Sequence, residues 1–404
     1  MYRRVSALLF AAGWGANHFT TLLVVYRREL ALSPSSLGLL FGAYALGLVP
    51  GLVFAGRASD DRGRRALVLP ASVLAIVGST ILGFGSHGFG VLLAGRLVYG
   101  LGMGAIMSPG SVWVQELSPP ELGPLRATLA LSAGFGIGPL LSGVIAEFAP
   151  APMVLPYVAH GVVMATALAG ALVVPETAPL GDSAERSTWD ERRLRARDLA
   201  VLAELSPAAP WAFGFAAISM AILPGILRPH VARPVLYSGF VILTTLACGV
   251  AMQPLTRRVG RLGNRIGLLV GAAGIFVGAS AVRALSPSLV LAAAALTGCG
   301  YGLVMTTGLR EAAQRARTAT RGAIVGIYYV LTYVGFALPF LHATIAKKVG
   351  DVAALQGACV AALVCLVVRV VIEARRGDRR PEPNAVELGA NDSASRASRP
   401  ERAK

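Results

Sequence analysis

The sequence predicts an all-α membrane protein of twelve transmembrane helices arranged as two six-helix repeats. Three observations carry this expectation. Of 404 residues, 55% are hydrophobic and only 14% charged, too little charge to cover a soluble protein of this length. Apolar runs of roughly 20 residues, the length that crosses a bilayer as a helix, recur along most of the chain. Two distant stretches also match. "GLGMGAIMSPG" at 100–110 and "GCGYGLVMTTG" at 298–308 share three alternate glycines, a methionine and a final glycine at one fixed offset. Inside lipid every backbone N–H and C=O is satisfied within its own segment, so the runs are helices, and the alternating strands of a membrane barrel are not seen.

In order, the first six runs lie near 5–25, 35–56, 66–86, 89–114, 127–149 and 153–175. Six more lie near 208–227, 235–256, 266–284, 287–309, 322–345 and 352–373, and we number all of them helices 1–12. The opening "MYRRVSALLFAAGWGANHFTTLLVV" has an apolar run too long for a secretion signal and no small-residue cleavage site, so it reads as a retained first helix. The gaps carry the charge. "GRASDDRGRR" (56–65) separates helices 2 and 3, and the other even-numbered gaps are similarly basic. With both termini, the even gaps hold 28 Lys+Arg against 7 in the odd gaps, which predicts a cytoplasmic-membrane protein with both ends inside. The net charge of +16 is therefore a topology signal and not a nucleic-acid footprint.

The longest gap divides the chain into a first half at 1–175, a linker at 176–207 and a second half at 208–373. The linker's "DERRLRARDLAVLAEL" predicts an amphipathic helix on the inner membrane surface. The polar tail at 374–404 reads as disordered. A second pair, "GPLLSGVIA" (138–146) and "LPFLHATIA" (338–346), supports the repeat. Cys248, Cys299, Cys359 and Cys365 all fall in apolar runs without metal spacing and read as structural thiols. With no ATP-binding loop, metal cluster or nucleophile–base arrangement in the sequence, no enzyme activity and no cofactor are expected.

In this order and at these places the motifs resemble those of the major facilitator superfamily, over essentially the whole chain except the tail. The 56–65 loop matches the family's pattern between helices 2 and 3 at Gly56, Asp60, Gly63, Arg64 and Arg65, while Asp61 stands where a base is usual. "GRLVYGLGMGA" resembles the fourth-helix motif, with Arg96 ahead of spaced glycines. "GFGIGPLLSG" resembles the fifth-helix motif at Gly134, Gly138, Pro139 and Gly143, with Ser142 in place of one glycine. "PET" (175–177) closes helix 6 as in many members. The resemblance implies a monomeric transporter working by alternating access on a small organic molecule, and the fifth-helix motif implies drug or metabolite export, with protons as a second partner. Import of a small polar metabolite by a facilitator or proton symporter is one alternative, and a non-transporting membrane receptor is another.

The same resemblance puts helices 1, 4, 7 and 10 around the cavity. Trp14, Asn17, His18 and Thr21 make one polar stripe on helix 1 and are cavity candidates. Arg96 is expensive inside a membrane and so points to the bundle interior or a wet cavity, or else snorkels to headgroups; Tyr99, Met103 and Met107 share its face. Tyr301 of helix 10 is a weaker cavity candidate, and the helix-11 stripe Tyr329, Tyr333, Phe336 and Phe340 reads first as packing. For proton coupling the candidates are His18, which titrates near neutral pH or else simply packs, and Glu116. In the 56–65 loop, Asp60 is expected at the start of helix 11 and Arg64 beside Glu116, as a latch between conformations.

Overall fold

A computed structural model of the chain describes residues 1–177, 195–260, 262–317 and 320–377. Those residues are helical almost throughout, with no strand among them. Helices 1–6 run Tyr2–Glu29, Pro34–Arg62, Arg64–Gly83, Phe89–Glu116, Gly123–Phe148 and Leu155–Ala171. Helix 7 is Ala209–Ala217, continued through a π turn at Ile218–Ile222 into Leu223–Leu227. Helices 8–10 are Pro234–Ala251, Leu262–Arg283 and Pro287–Arg315. Helix 11 is Arg321–Tyr333, continued through Val334–Ala337 into Leu338–Val349, and helix 12 is Asp351–Gly377. Among the described residues, eleven spans are long and apolar enough to cross a membrane, and helix 6 is a shorter apolar helix. Helices 4, 10 and 12 outrun their apolar stretches at one end, because charged residues continue the helix past the hydrocarbon. The expected tail lies outside the described residues beyond Gly377.

Prolines start several helices where no N–H partner is needed. Pro34 follows Ser33, whose hydroxyl accepts from the Ser36 N–H at 3.1 Å. Between helices 2 and 3 the chain turns on Gly63 at φ +95°, a conformation that L side chains avoid, and a Cβ there would lie 2.4 Å from the Glu176 carboxylate.

The repeated glycines do the same job in both halves. A Cβ on Gly100 or Gly104 would lie 2.3 and 2.2 Å from carbonyl oxygens of helix 2. One on Gly298 or Gly302 would lie 2.2 and 2.1 Å from carbonyls of helix 8. The glycines between them, Gly102 and Gly300, face helices 3 and 9, where a Cβ would lie 2.8 and 2.7 Å from the backbone. Without hydrophobic drive between helices in lipid, close backbone approach over small residues supplies the packing.

We call the side with the 63, 117–123, 252–262 and 316–320 turns the basic end, and the opposite side the far end. The halves meet mainly through helix 5 against helix 8, helix 2 against the second segment of helix 11, and helix 1 against helix 8. These contacts gather toward the far end. Gly38 and Gly42 sit on the Phe340 and Phe336 backbone, and Glu147 Oε2 accepts from the Val235 and Leu236 N–H groups, at 3.0 and 3.1 Å, where helix 8 begins. Toward the basic end, among the described residues, helix 2 makes few contacts with the first segment of helix 11.

The linker's helix, Ala196–Leu205, docks on the second half. Val201, Leu202 and Leu205 bury against Ala312, Ile324 and Tyr328. Its acids explain the docking: Asp198 pairs with Arg317 at 2.7 Å and Glu204 with Arg315 at 2.5 Å. The network continues from Arg315 to Glu311, Arg369 and Glu373, and ends at Arg265. Residues 178–194 of the expected linker lie outside the described residues.

Candidate functional site

The helix-1 stripe turns out to serve helix 5. Pro139 has no N–H, so the carbonyl of Phe135, one turn earlier, loses its helical donor. The Asn17 side-chain amide supplies one at 3.3 Å. Thr21 donates to the Pro139 carbonyl at 3.1 Å, and the Trp14 indole donates to the Ser142 hydroxyl at 2.7 Å. Gly134 and Gly138 let helix 1 come this close: a Cβ on Gly134 would lie 2.1 Å from the Phe10 carbonyl, and one on Gly138 2.5 Å from the Trp14 side chain. Gly143 faces the other half, beside Val235. Trp14 and Thr21 are therefore buried stitches at a proline kink and not cavity walls, while Asn17 keeps partial exposure. Ser142, the departure from the glycine pattern, has a use as the indole's acceptor.

His18 also leaves the cavity set. It is wholly buried inside the first half, ring to ring with Tyr157 (4.5 Å), His160 (4.9 Å) and Tyr99 (6.1 Å), and neither ring nitrogen has a hydrogen-bond partner. No carboxylate takes part in these contacts. His160, which no motif flagged, is fully satisfied: Nε2 lies 3.0 Å from the Ala11 carbonyl and so donates, leaving Nδ1 to accept from Ser79 at 2.9 Å in the neutral ring. The Tyr157 hydroxyl hydrogen-bonds Tyr26.

Arg96 is 1% exposed. Its Nε and Nη2 donate to the Leu40 and Phe41 carbonyls of helix 2, both at 3.1 Å, and Nη1 reaches the Ala16 carbonyl of helix 1 at 3.4 Å. The guanidinium lies over the rings of Phe19 (4.4 Å) and Tyr44 (4.5 Å). It is a clamp across helices 1, 2 and 4, which selects the bundle interior over a wet cavity or the headgroups: helix carbonyls and ring faces surround the charge. Tyr99 and Met103 are likewise fully buried, Tyr99 donating to the Ala12 carbonyl at 2.9 Å. Met107 and Tyr301 are half-buried, as a cavity wall requires.

The surface where the halves meet is aromatic. Phe213 of helix 7 stacks on Tyr333 (4.7 Å) and Tyr301 (5.8 Å) and meets Phe336 (4.9 Å). Phe336 in turn meets Phe41 (4.9 Å) and Tyr44 (6.3 Å) of the first half. Tyr44 carries a buried hydroxyl without a partner, and its ring rests on Arg96. Phe135 of helix 5 packs among Met220, Ile242 and Leu246 of the second half. Such a wall favours flat or amphiphilic apolar molecules through stacking and dispersion. The helix-11 stripe is thus divided: Tyr333 and Phe336 join this junction, and Phe340 packs on helix 2 at the far end.

The family model of the Major Facilitator Superfamily matches residues 5–339. The chain belongs to the major facilitator superfamily. Among curated relatives it is 30% identical over 144 residues to the quinolone resistance protein NorA of Staphylococcus aureus, covering 34% of this chain and 36% of that protein. It is 28% identical over 109 residues to the glucose transporter GlcP of Staphylococcus epidermidis, covering 27% and 24%. The chain thus spans about a third or less of the length of these relatives. Among solved structures, a POT family transporter in complex with 5-aminolevulinic acid superposes with TM-score 0.76 at 13% identity, over 92% of this chain and 96% of that one. The nucleoside transporter NupG superposes with TM-score 0.73 at 10% identity, over 91% and 98%. These likenesses fix the fold.

Described residues of the superfamily loop between helices 2 and 3 bond to partners in the first half. Arg64 pairs with Glu116 at 3.3 Å and donates to the Ser59 hydroxyl at 2.8 Å. Glu176 of "PET" caps helix 3, its carboxylate accepting from the Arg64 and Arg65 N–H groups at 2.9 and 2.8 Å. Arg65 reaches the Leu172 carbonyl at 2.8 Å, and Thr177 donates to Glu116. The side chains of Gly56, Asp60 and Asp61 lie outside the described residues. Glu176 was legible only as a motif letter; its place at a helix start was the signal.

Proposed function

We propose that the chain is a secondary transporter working by alternating access, which exports a small aromatic or amphiphilic organic molecule across the cytoplasmic membrane, both chain ends inside. The observation that carries this reading is the aromatic junction between the halves, joined at the far end and, among the described residues, with few contacts between helix 2 and the first segment of helix 11 toward the basic end. A binding surface between two repeats near the middle of the membrane is where rocking halves expose a substrate to either side. Similarity to a quinolone resistance protein supports export; similarity to a glucose transporter supports the alternative of import, and the ring-on-ring lining of the junction favours the first. The chain acts as a monomer in this reading. Proton antiport is its coupling, carried by His18, a membrane-buried titratable ring with both nitrogens unpartnered. Glu116 is engaged by Arg64 and Thr177 instead.

The test is purified protein in liposomes with an imposed pH gradient and a panel of fluorescent aromatic amphiphiles. Proton-driven expulsion of at least one dye, reduced by Phe213→Ala, supports the reading. Flux of hexoses with indifference to every dye would move the assignment to import.

A further inference from the structure

We propose that a groove between helices 1 and 6 at the basic end binds an anionic phospholipid of the adjoining leaflet. The groove is a cavity of about 420 Å³. Arg3, Arg4, Ala7 and Phe10 line it on helix 1, and an apolar strip through Val163 and Ala167 lines it on helix 6. Its walls are apolar along the helices and cationic at the rim, which is the shape of an acyl chain below a headgroup.

The charge at the rim is uncompensated. Arg3 and Arg4 are exposed, and Arg126 of helix 5 stands at the same end with its guanidinium 3.9 Å from the Tyr2 ring centroid. The Tyr2 hydroxyl also accepts from Arg3 Nε at 3.4 Å. Among the described residues none of these three guanidiniums is paired with a carboxylate. Contrast the second half, where Arg265, Arg315 and Arg369 at the same end are all matched by glutamates. The slot under the arginines is also empty of side chain: a Cβ on Gly170 would meet only the Arg4 stem, at 3.9 Å. Helix 6 has 17 residues against 28 in helix 1, so it spans only about 25 Å and stops short of its neighbour. A lipid headgroup fills the resulting step.

Phosphate oxygens accept the forked guanidinium donors, and the acyl chain covers Ala7, Phe10, Val163 and Ala167. A zwitterionic headgroup brings its own cation to a rim that already holds Arg3 and Arg4, so the anionic lipid is preferred. The site rests on the chain's embedding in a bilayer and is independent of what is transported.

The full chain, released from nanodiscs of equimolar phosphatidylglycerol and phosphatidylcholine, is examined by native mass spectrometry. The expected result is selective retention of phosphatidylglycerol. The double variant Arg3→Gln/Arg4→Gln lowers its affinity by about fivefold for each guanidinium and leaves phosphatidylcholine unaffected, while Arg4→Lys keeps the preference. Ala167→Trp fills the slot with the arginines intact and loses retention of phosphatidylglycerol. Equal retention of both lipids by the parent, or unchanged phosphatidylglycerol binding in the double glutamine variant, overturns the proposal. Each variant's thermal melt confirms that it is folded.

Discussion

The two halves share a glycine repeat and a helix-packing scheme, yet they keep their polar groups in different places. The first half buries His18, Arg96, Tyr99, Tyr157 and His160 inside the bundle, on ring faces and helix carbonyls. The second half fills its interior with Phe215, Leu268, Ile275 and Val304 and gathers its charges at the basic end. The contrast is sharpest in two arginines that are both 1% exposed. Arg369 sits between Glu311 (2.6 Å) and Glu373 (2.5 Å) and donates to the Glu204 carbonyl at 2.7 Å. Arg96 touches no carboxylate. One charge is stabilised by ion partners that depend on it, and the other by dipoles that remain satisfied without it. Burial alone therefore does not predict the cost of removing a charge.

That difference orders the expected effects. Arg369→Met removes the buried cation shared by Glu311 and Glu373, leaving Glu311 with Arg315 at 3.6 Å and Glu373 with Arg265, and should cost about 3–5 kcal/mol of stability, read from denaturation in detergent. Asn17→Ala strands the Phe135 carbonyl at the helix-5 kink and should cost about 1–3 kcal/mol in the same assay. Glu147→Ala removes the cap on helix 8, a contact between halves, and should weaken far-end closure by about 1 kcal/mol, read from cysteine accessibility on both sides. Arg96→Met should change stability least, within about 1 kcal/mol, because the carbonyls it clamps keep their helical partners and no counter-ion is stranded. A loss of stability as large as that of Arg369→Met would erase the distinction between the two arginines.

Much of this architecture was legible in the sequence, since apolar length and the glycine repeat depend only on local composition and spacing. The family motifs were legible for the same reason. The site was less so. A helical stripe says which face of helix 1 is polar but not which neighbour it meets, and Trp14, Asn17 and Thr21 meet a proline kink. Pro139 itself was the available clue, because the carbonyl it strands must find a donor. The docking of the linker helix was not legible because amphipathicity cannot distinguish a lipid surface from a protein one; its buried acids, Asp198 and Glu204, were the missed sign. His160, Tyr44 and Phe213 lie in apolar runs outside any motif, and only the tertiary arrangement brings them to rings on other helices.

The central claim is that the halves rock about the aromatic junction, so that the far-end contacts close and open in turn with the basic end. Spin labels at Leu122→Cys and Leu262→Cys, at the basic ends of the two halves, on a background with the four native cysteines replaced, report it directly by pulsed dipolar spectroscopy in liposomes. The account predicts two distance populations, with the shorter one gaining weight when Glu147→Ala loosens the far end. A single narrow distance, unchanged by that substitution, would contradict it.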